Sequence, residues 1–314
     1  MGCLMRDSFQ ISQFHVHIAS HNNFPTAAGL ASSASGFAAL VASLAALYKL
    51  PANASELSLI ARQGSGSACR SLFGGFVSWE MGNNPDGSDS FAVQIAPKEH
   101  WPEMHALICV VSDSKKGTSS TAGMQRTVET SPLLQYRIKE IVPTRMKKII
   151  EAINAKDFDT FANITMQDSN QFHAVALDTD PPIFYMNDTS RAIIAVIVEY
   201  NRVSLASGHG IKAAYTFDAG PNGVIYAPGA NMREIVNLIH YYFPQSVPFS
   251  DPFKLFSEDE GPGKLMPPEG FNLTIAKKAE AGAVSRLIHT KVGGGPRVLG
   301  ESEALLDGTG LPLK

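Results

Sequence analysis

Pro25-Thr26-Ala27-Ala28-Gly29-Leu30-Ala31-Ser32-Ser33-Ala34-Ser35 is a stretch of mostly small residues that runs straight into a helical pattern over Ala28 to Leu50. A backbone with few bulky side chains lets a phosphate come close. The helix N-terminus presents unpaired N–H groups and the positive end of a dipole, and serine hydroxyls can bind phosphate oxygens or Mg²⁺. The stretch matches neither the G-x-x-x-x-G-K-[ST] loop nor G-x-G-x-x-G. A helix packed close to a neighbour through Ala, Gly and Ser is an equally good reading of these residues alone. Thr26 to Tyr48 carries no charge, which raises the question of a membrane span. The run is rich in Gly, Ser and Ala and lacks flanking aromatic or basic belts, so a helix buried in a protein core fits better.

Working outward, Phe14 to Ala19 alternates as a strand, and Glu56 to Arg62 and Ser67 to Phe73 read as two short helices. Phe76 to Met81 and Phe91 to Ile95 form a hairpin around the turn-rich Gly82 to Ser90. Leu107 to Val111 opens a second unit as an apolar strand. Leu134, Ile138, Ile141, Met146, Ile149, Ile150 and Ile153 recur at helical spacing, with Pro143 set to kink or restart the helix. Helices follow over Phe158 to Ala174, Thr189 to Asn201 and Met232 to Tyr242, with strands over Ala213 to Phe217, Val224 to Ala227 and Arg286 to Val292. Ser246 to Asn272 reads as a surface loop, and the end from Gly293 is Gly-rich. Helices and strands intermix in both halves, which predicts an α+β chain of two domains, 1–100 and 101–314.

The 314 residues carry 26 Lys+Arg against 29 Asp+Glu, a net charge of −3, which argues against a nucleic-acid binder resting on bulk positive charge. Cys3, Cys69 and Cys109 are widely spaced with no C-x-x-C pair, so neither a disulfide framework nor a zinc site is expected and the default compartment is reducing. No secretory signal is visible, and Arg6 stands where a myristoylation signal wants Ser or Thr.

Four further groups could carry chemistry. Gly64-Ser65-Gly66-Ser67-Ala68-Cys69-Arg70-Ser71 is a hydroxyl-rich turn opening a helix with one guanidinium inside it, suited to a carboxylate or phosphate; a capped helix with a surface Arg is the plain alternative. Asp218 ends an apolar strand before a Gly-Pro turn, where a carboxylate can act as a base or merely cap its own turn. Lys115-Lys116-Gly117-Thr118-Ser119-Ser120-Thr121 could close over a polyphosphate or lie solvated. Asp168-Ser169-Asn170-Gln171-Phe172-His173 is a polar cluster on a helix in which His173 reads as structural, and Cys69 reads as a small buried residue.

Taken together, Ala19 to Gly36, Arg62 to Val77, Val128 to Leu134, Asp168 to Ala174 and Tyr215 to Asn222 resemble the mevalonate diphosphate decarboxylases, a branch of the GHMP small-molecule kinase superfamily, in order and over nearly the whole chain. The resemblance implies a two-domain GHMP kinase-like α+β fold: a truncated N-terminal domain like ribosomal protein S5 domain 2, and a ferredoxin-like C-terminal domain. It implies ATP-dependent decarboxylation of mevalonate 5-diphosphate to isopentenyl diphosphate, with Mg²⁺ assisting, in a cytosolic homodimer. Carried over residue by residue, Asp218 is the catalytic carboxylate and Arg70 the guanidinium holding the substrate carboxylate. Ser65, Ser67, Ser119 and Ser120 contact the substrate. Pro25, Ala28, Gly29, Leu30, Ala31, Ser32, Ser33, Lys115 and Lys116 form the ATP-phosphate site, with Ser33 also meeting the metal.

The Ala-Pro-x-Asn strand and Lys-Tyr-Trp-Gly-Lys motif with which family members open do not occur in this chain. The expectation is therefore a first domain that starts inside the family pattern and leaves Phe14 to Ala19 as an unpaired sheet edge. The alternatives are an inactive truncated form of the enzyme or another GHMP-type kinase.

Overall fold

A computed structural model describes residues 15–26, 29–112, 118–257 and 261–313. They divide into two compact units. One holds 15–26, 31–100 and 293–313, and the other holds 29–30, 101–112, 118–257 and 261–292.

The first unit begins with α1 (Ser32–Leu47) and α2 (Ala54–Gly64), followed by a 3₁₀ turn (Gly66–Leu72) and an antiparallel pair, β1 (Phe76–Trp79) and β2 (Ala92–Ala96). α1 starts four residues later than its Ala-rich pattern predicts, because Gly29 adopts φ +77°, a left-handed conformation no helix accommodates. α2 starts two residues before the expected Glu56, because Asn53 accepts from the Glu56 N–H while the Glu56 carboxylate accepts from the Asn53 N–H, a reciprocal cap. Ala38, Val41, Ala61, Ala68 and Leu72 form a small core between these elements. Small residues at the contact let α1, α2 and the 3₁₀ turn approach closely.

Two expectations change in this unit. Residues 15–19 form no strand. No described strand pairs with them, Ile18 is 61% exposed, and the His17 ring bonds instead to the Gly310 carbonyl at 2.8 Å. The Phe14 part of that expectation lies outside the described residues. The C-terminal segment 293–313, expected with the second domain, belongs to the first unit. The Gly75 N–H donates to Gly293 O at 2.9 Å, and a Cβ on Gly74 would lie 2.7 Å from Gly295 N, so only bare glycine backbone allows the approach.

The second unit is built on an antiparallel sheet of β3 (Met104–Val110), β4 (Ala214–Phe217), β5 (Gly223–Pro228) and β6 (Arg286–Lys291), in the order β4-β5-β3-β6. Between β3 and β4 lie α3 (Ser120–Thr130), α4 (Pro132–Tyr136), a π turn (Arg137–Ile141), α5 (Val142–Ala155), α6 (Phe158–Leu177) and α7 (Asp188–Ala206); α8 (Gly229–Tyr242) follows β5. Strand, helices, two strands, helix, strand in this order is the ferredoxin-like arrangement. Leu107, Tyr215, Phe217 and Ile225 from the sheet meet Ile193, Val196, Ile197 and Tyr200 of α7 and Met232, Ile235, Val236 and Ile239 of α8 in the main core. Ser246 to Asn272 has no helix or strand over its described residues, as expected, but it is more than a surface loop. Phe271 is 7% exposed within that core, and Phe249 and Phe256 pack against it. Among the described residues no helix is long and apolar enough to cross a membrane.

Candidate active site

In the first unit, α1 begins without a side-chain cap: Ala31 takes the N-cap position and contributes no hydroxyl or carboxylate. Its N-terminus presents the positive dipole end that suits an anion. Ser33 is exposed there, and its Oγ lies 3.2 Å from Ser65 Oγ, which lies 3.5 Å from Ser67 Oγ. Three serines thus form a chain of hydroxyls from the α1 N-terminus to the 3₁₀ turn. Ser32, by contrast, is 8% exposed, and Pro25 is buried and lacks an N–H, so these two shape the loop. The loop is fastened to α1 by Ser35 Oγ donating to Asn22 Oδ1 at 3.2 Å.

Residues three apart eclipse in a 3₁₀ helix, which puts Arg70 directly above Ser67. The Arg70 guanidinium sits 5.7 Å from the centre of the Trp79 ring, half-buried, and no carboxylate among the described residues pairs with it. A guanidinium held on an indole face with no acidic partner is prepared for an anionic ligand. Trp79 escaped the sequence reading, although its place in β1 following the Arg70 turn was visible. Cys69 beside it is fully buried, and burial raises its thiol pKa, in keeping with a packing role.

In the second unit, Gly29 lies against the turn after β4. A Cβ on Gly29 would come within 2.5 Å of Gly220 Cα. Asp218 is exposed at the end of β4, with Oδ1 accepting from the Ala219 N–H at 2.7 Å. The polar cluster on α6 holds this strand end in place. Ser169 Oγ accepts from Phe217 N–H at 3.0 Å, Tyr215 Oη donates to Asn170 Oδ1 at 3.1 Å, and His173 Nε2 lies 3.2 Å from Phe217 O. His173 is 4% exposed, and burial lowers its pKa while the Phe217 carbonyl and Asp218 oppose that shift. It is a structural histidine. Asn222 closes the far side: its Oδ1 accepts from the N–H groups of Val111 and Ser112 at 2.6 and 3.0 Å.

Ser119 caps α3, its Oγ accepting from Ala122 N–H at 3.1 Å, and Ser120 is the first helical residue. Ala28, Lys115 and Lys116 lie outside the described residues. Among the described residues no group of three or more His, Cys, Asp or Glu could hold a metal.

A first unit with a serine-bearing helix start and a guanidinium that has no carboxylate partner among the described residues, and a second unit with a ferredoxin-like sheet and a strand-end carboxylate, are the parts of a GHMP kinase-like fold. Comparison with known proteins narrows the class. The model of the mevalonate 5-diphosphate decarboxylase C-terminal domain matches residues 106–299, and that of the diphosphomevalonate decarboxylase-like N-terminal domain matches residues 3–92. The chain belongs to the mevalonate 5-diphosphate decarboxylase family. It is 70% identical over 303 residues to the diphosphomevalonate decarboxylase of Ganoderma lucidum, covering 96% of this chain and 75% of the relative. It superposes on the X-ray crystal structure of a mevalonate 5-diphosphate decarboxylase with a TM-score of 0.80 at 46% identity, covering 98% of this chain and 79% of the other. A structure of MDDEF in complex with MVAPP, AMPPCP and magnesium matches with a TM-score of 0.60 at 37% identity, over 69% of this chain and 64% of that one.

Proposed function

We propose that this chain catalyses the ATP-dependent decarboxylation of mevalonate 5-diphosphate to isopentenyl diphosphate, ADP, phosphate and CO₂. The family membership supports the reaction, and the complex of a relative with MVAPP, AMPPCP and magnesium supports the nucleotide and the metal. The observation that carries it onto this chain is the guanidinium of Arg70, seated on Trp79 with no carboxylate partner among the described residues.

Each residue has a role that its surroundings favour. Arg70 offers its planar fork to the substrate carboxylate, and Ser65 and Ser67 offer hydroxyls to the diphosphate, joined by Ser119 and Ser120. The α1 N-terminus, with Ala31, Ser32 and Ser33 behind the Pro25 to Leu30 loop, receives ATP phosphates, and Lys115 and Lys116 add positive charge. Bound Mg²⁺, touched by Ser33, would neutralise charge between the phosphates. Asp218 orients the substrate's tertiary hydroxyl and accepts its proton as the oxygen bonds to the γ-phosphorus and ADP departs. The tertiary carbon–oxygen bond, its oxygen now carrying the phosphoryl group, then breaks with its electrons leaving on that oxygen, releasing phosphate. The C–CO₂ bond supplies the electron pair of the new double bond, and CO₂ leaves. The chain works as a cytosolic homodimer, whose mass sedimentation reads directly.

The test is ADP formation by the purified chain with and without mevalonate 5-diphosphate, beside Asp218→Ala. ADP that requires the substrate and vanishes in the variant supports the reading. A folded preparation that makes no ADP, or one whose ADP survives Asp218→Ala, overturns it.

A further inference from the structure

A hollow lies among α5, α6 and β4, and none of the residues assigned to the reaction lines it, although Thr216 on its wall is two residues before Asp218. Its volume is about 330 Å³, within the range of small-ligand pockets. Val142, Met146, Ile149 and Ile164 give it an apolar wall, and Arg137, Arg145 and Asp168 give it a charged one.

The charged wall depends on an irregularity in the helix. At about 100° per residue, positions eight apart on an α-helix point roughly 80° away from each other. The π turn over Arg137–Ile141 absorbs about one extra residue, so Arg137 and Arg145 return to one face. Both then converge on Asp168. Arg137 donates from Nη1 and Nη2 to its two oxygens at 2.7 and 2.8 Å, and Arg145 Nη1 donates to Asp168 Oδ1 at 3.0 Å and Gln171 Oε1 at 2.9 Å. Burial alone would raise the Asp168 carboxyl, but the two guanidiniums outweigh it and hold its pKa below the ordinary carboxylate range. The cluster is two cations on one anion, a net positive charge. The Arg137 fork alone satisfies Asp168, and the Nε and Nη2 of Arg145 make no hydrogen bond among the described residues. The Arg side chains are only 14% and 20% exposed, so this surplus charge is half-desolvated beside an aliphatic cavity.

We propose that this hollow is a second ligand site for a small amphiphilic anion, with an aliphatic chain along Val142, Met146, Ile149 and Ile164 and a phosphate or carboxylate head on Arg145 and Arg137. Guanidinium binds either head through paired N–H groups, and burial of the chain supplies the apolar part of the affinity. A prenyl diphosphate and a short fatty acid share this chemistry.

The test is calorimetric titration of the full chain with geranyl diphosphate and, separately, octanoate. At least one binds, and which one identifies the source of the ligand. Arg145→Gln weakens that binding at least tenfold, Arg145→Lys keeps most of it, and Met146→Trp, which fills the apolar end, abolishes it. Turnover without probe stays at the parent value in all three. Binding by neither probe, or binding that both Arg145→Gln and Met146→Trp leave unchanged, overturns the proposal. Loss in Arg145→Gln alone contradicts the aliphatic half of it. Should Arg145→Gln fail to fold, judged by its melting temperature, Met146→Trp decides the question.

Discussion

Gly29 and Gly220 touch backbone to backbone: a Cβ built on Gly29 would lie 2.5 Å from Gly220 Cα and 2.7 Å from its nitrogen. Gly29 is thereby in contact with the turn that follows Asp218, and two glycines are what permit it. Gly29 is also left-handed, at φ +77°.

Gly29→Ala is expected to lower stability by about 1–2 kcal/mol from the left-handed backbone alone, with further cost from the contact. Turnover should fall more than nucleotide KM rises, because the displaced element is the Asp218 turn. Thermal melting and steady-state kinetics read the two effects. Parent-like kinetics in the variant would show that the close approach has no bearing on the reaction.

Arg70→Lys keeps a charge but loses the planar fork and its seat on Trp79. A hydrogen bond to a charged group contributes about 1.5–3 kcal/mol, so Arg70→Ala should cost roughly ten- to a hundredfold in kcat/KM for mevalonate 5-diphosphate, with nucleotide KM little changed. Arg70→Lys should recover only part of the loss. Equal weakening toward both substrates would place Arg70 outside the carboxylate subsite.

Ser33→Ala removes one end of the hydroxyl chain through Ser65 and Ser67. It should raise KM for ATP and the Mg²⁺ concentration needed for half-maximal rate, while Ser33→Thr, which retains a hydroxyl, restores both. A selective effect on mevalonate 5-diphosphate would assign Ser33 to the other substrate.

His105 and His289 face each other across β3 and β6, Nδ1 to Nε2 at 2.8 Å, and are 7% and 5% exposed. Burial lowers both pKa values to about 4; Lys291 adds to this for each, while Asp251 opposes it for His289. The native state thus holds the rings neutral, whereas the unfolded chain binds protons near pH 6.5. Their contribution to stability is complete above pH 6.5 and is lost as pH falls toward 4. Melting temperature should decline across that window, and His289→Gln should flatten the decline. A melting temperature independent of pH between 6.5 and 4 would contradict the pairing.

Pattern located most elements, either because buried positions recur at helical spacing, as in α5, or because a continuous apolar run marks a buried strand, as in β3. It failed where long-range contact decides. The left-handed backbone of Gly29 delays the start of α1 at the point where Gly220 lies against it. Segment 293–313 is assigned by the bare backbone of Gly74 and Gly75, which no local pattern encodes. The Pro25 to Ser35 stretch and the Arg70 turn could be read as candidate anion sites because small residues and hydroxyls precede a helix in both, but the same residues suit close packing and capping, and only the resemblance separated the readings. Trp79 beneath Arg70, and the π turn that aligns Arg137 with Arg145, were not: one depends on tertiary packing and the other places its arginines out of helical phase.

The central claim is that phosphoryl transfer and loss of the carboxyl group belong to one reaction on this chain. Mevalonate 5-diphosphate carrying ¹³C in its carboxyl group tests it most directly. Labelled CO₂ released in step with ADP, one for one, is the predicted result. ADP accumulating with the label retained in a phosphorylated acid would show a kinase that stops at phosphoryl transfer, and would contradict the account.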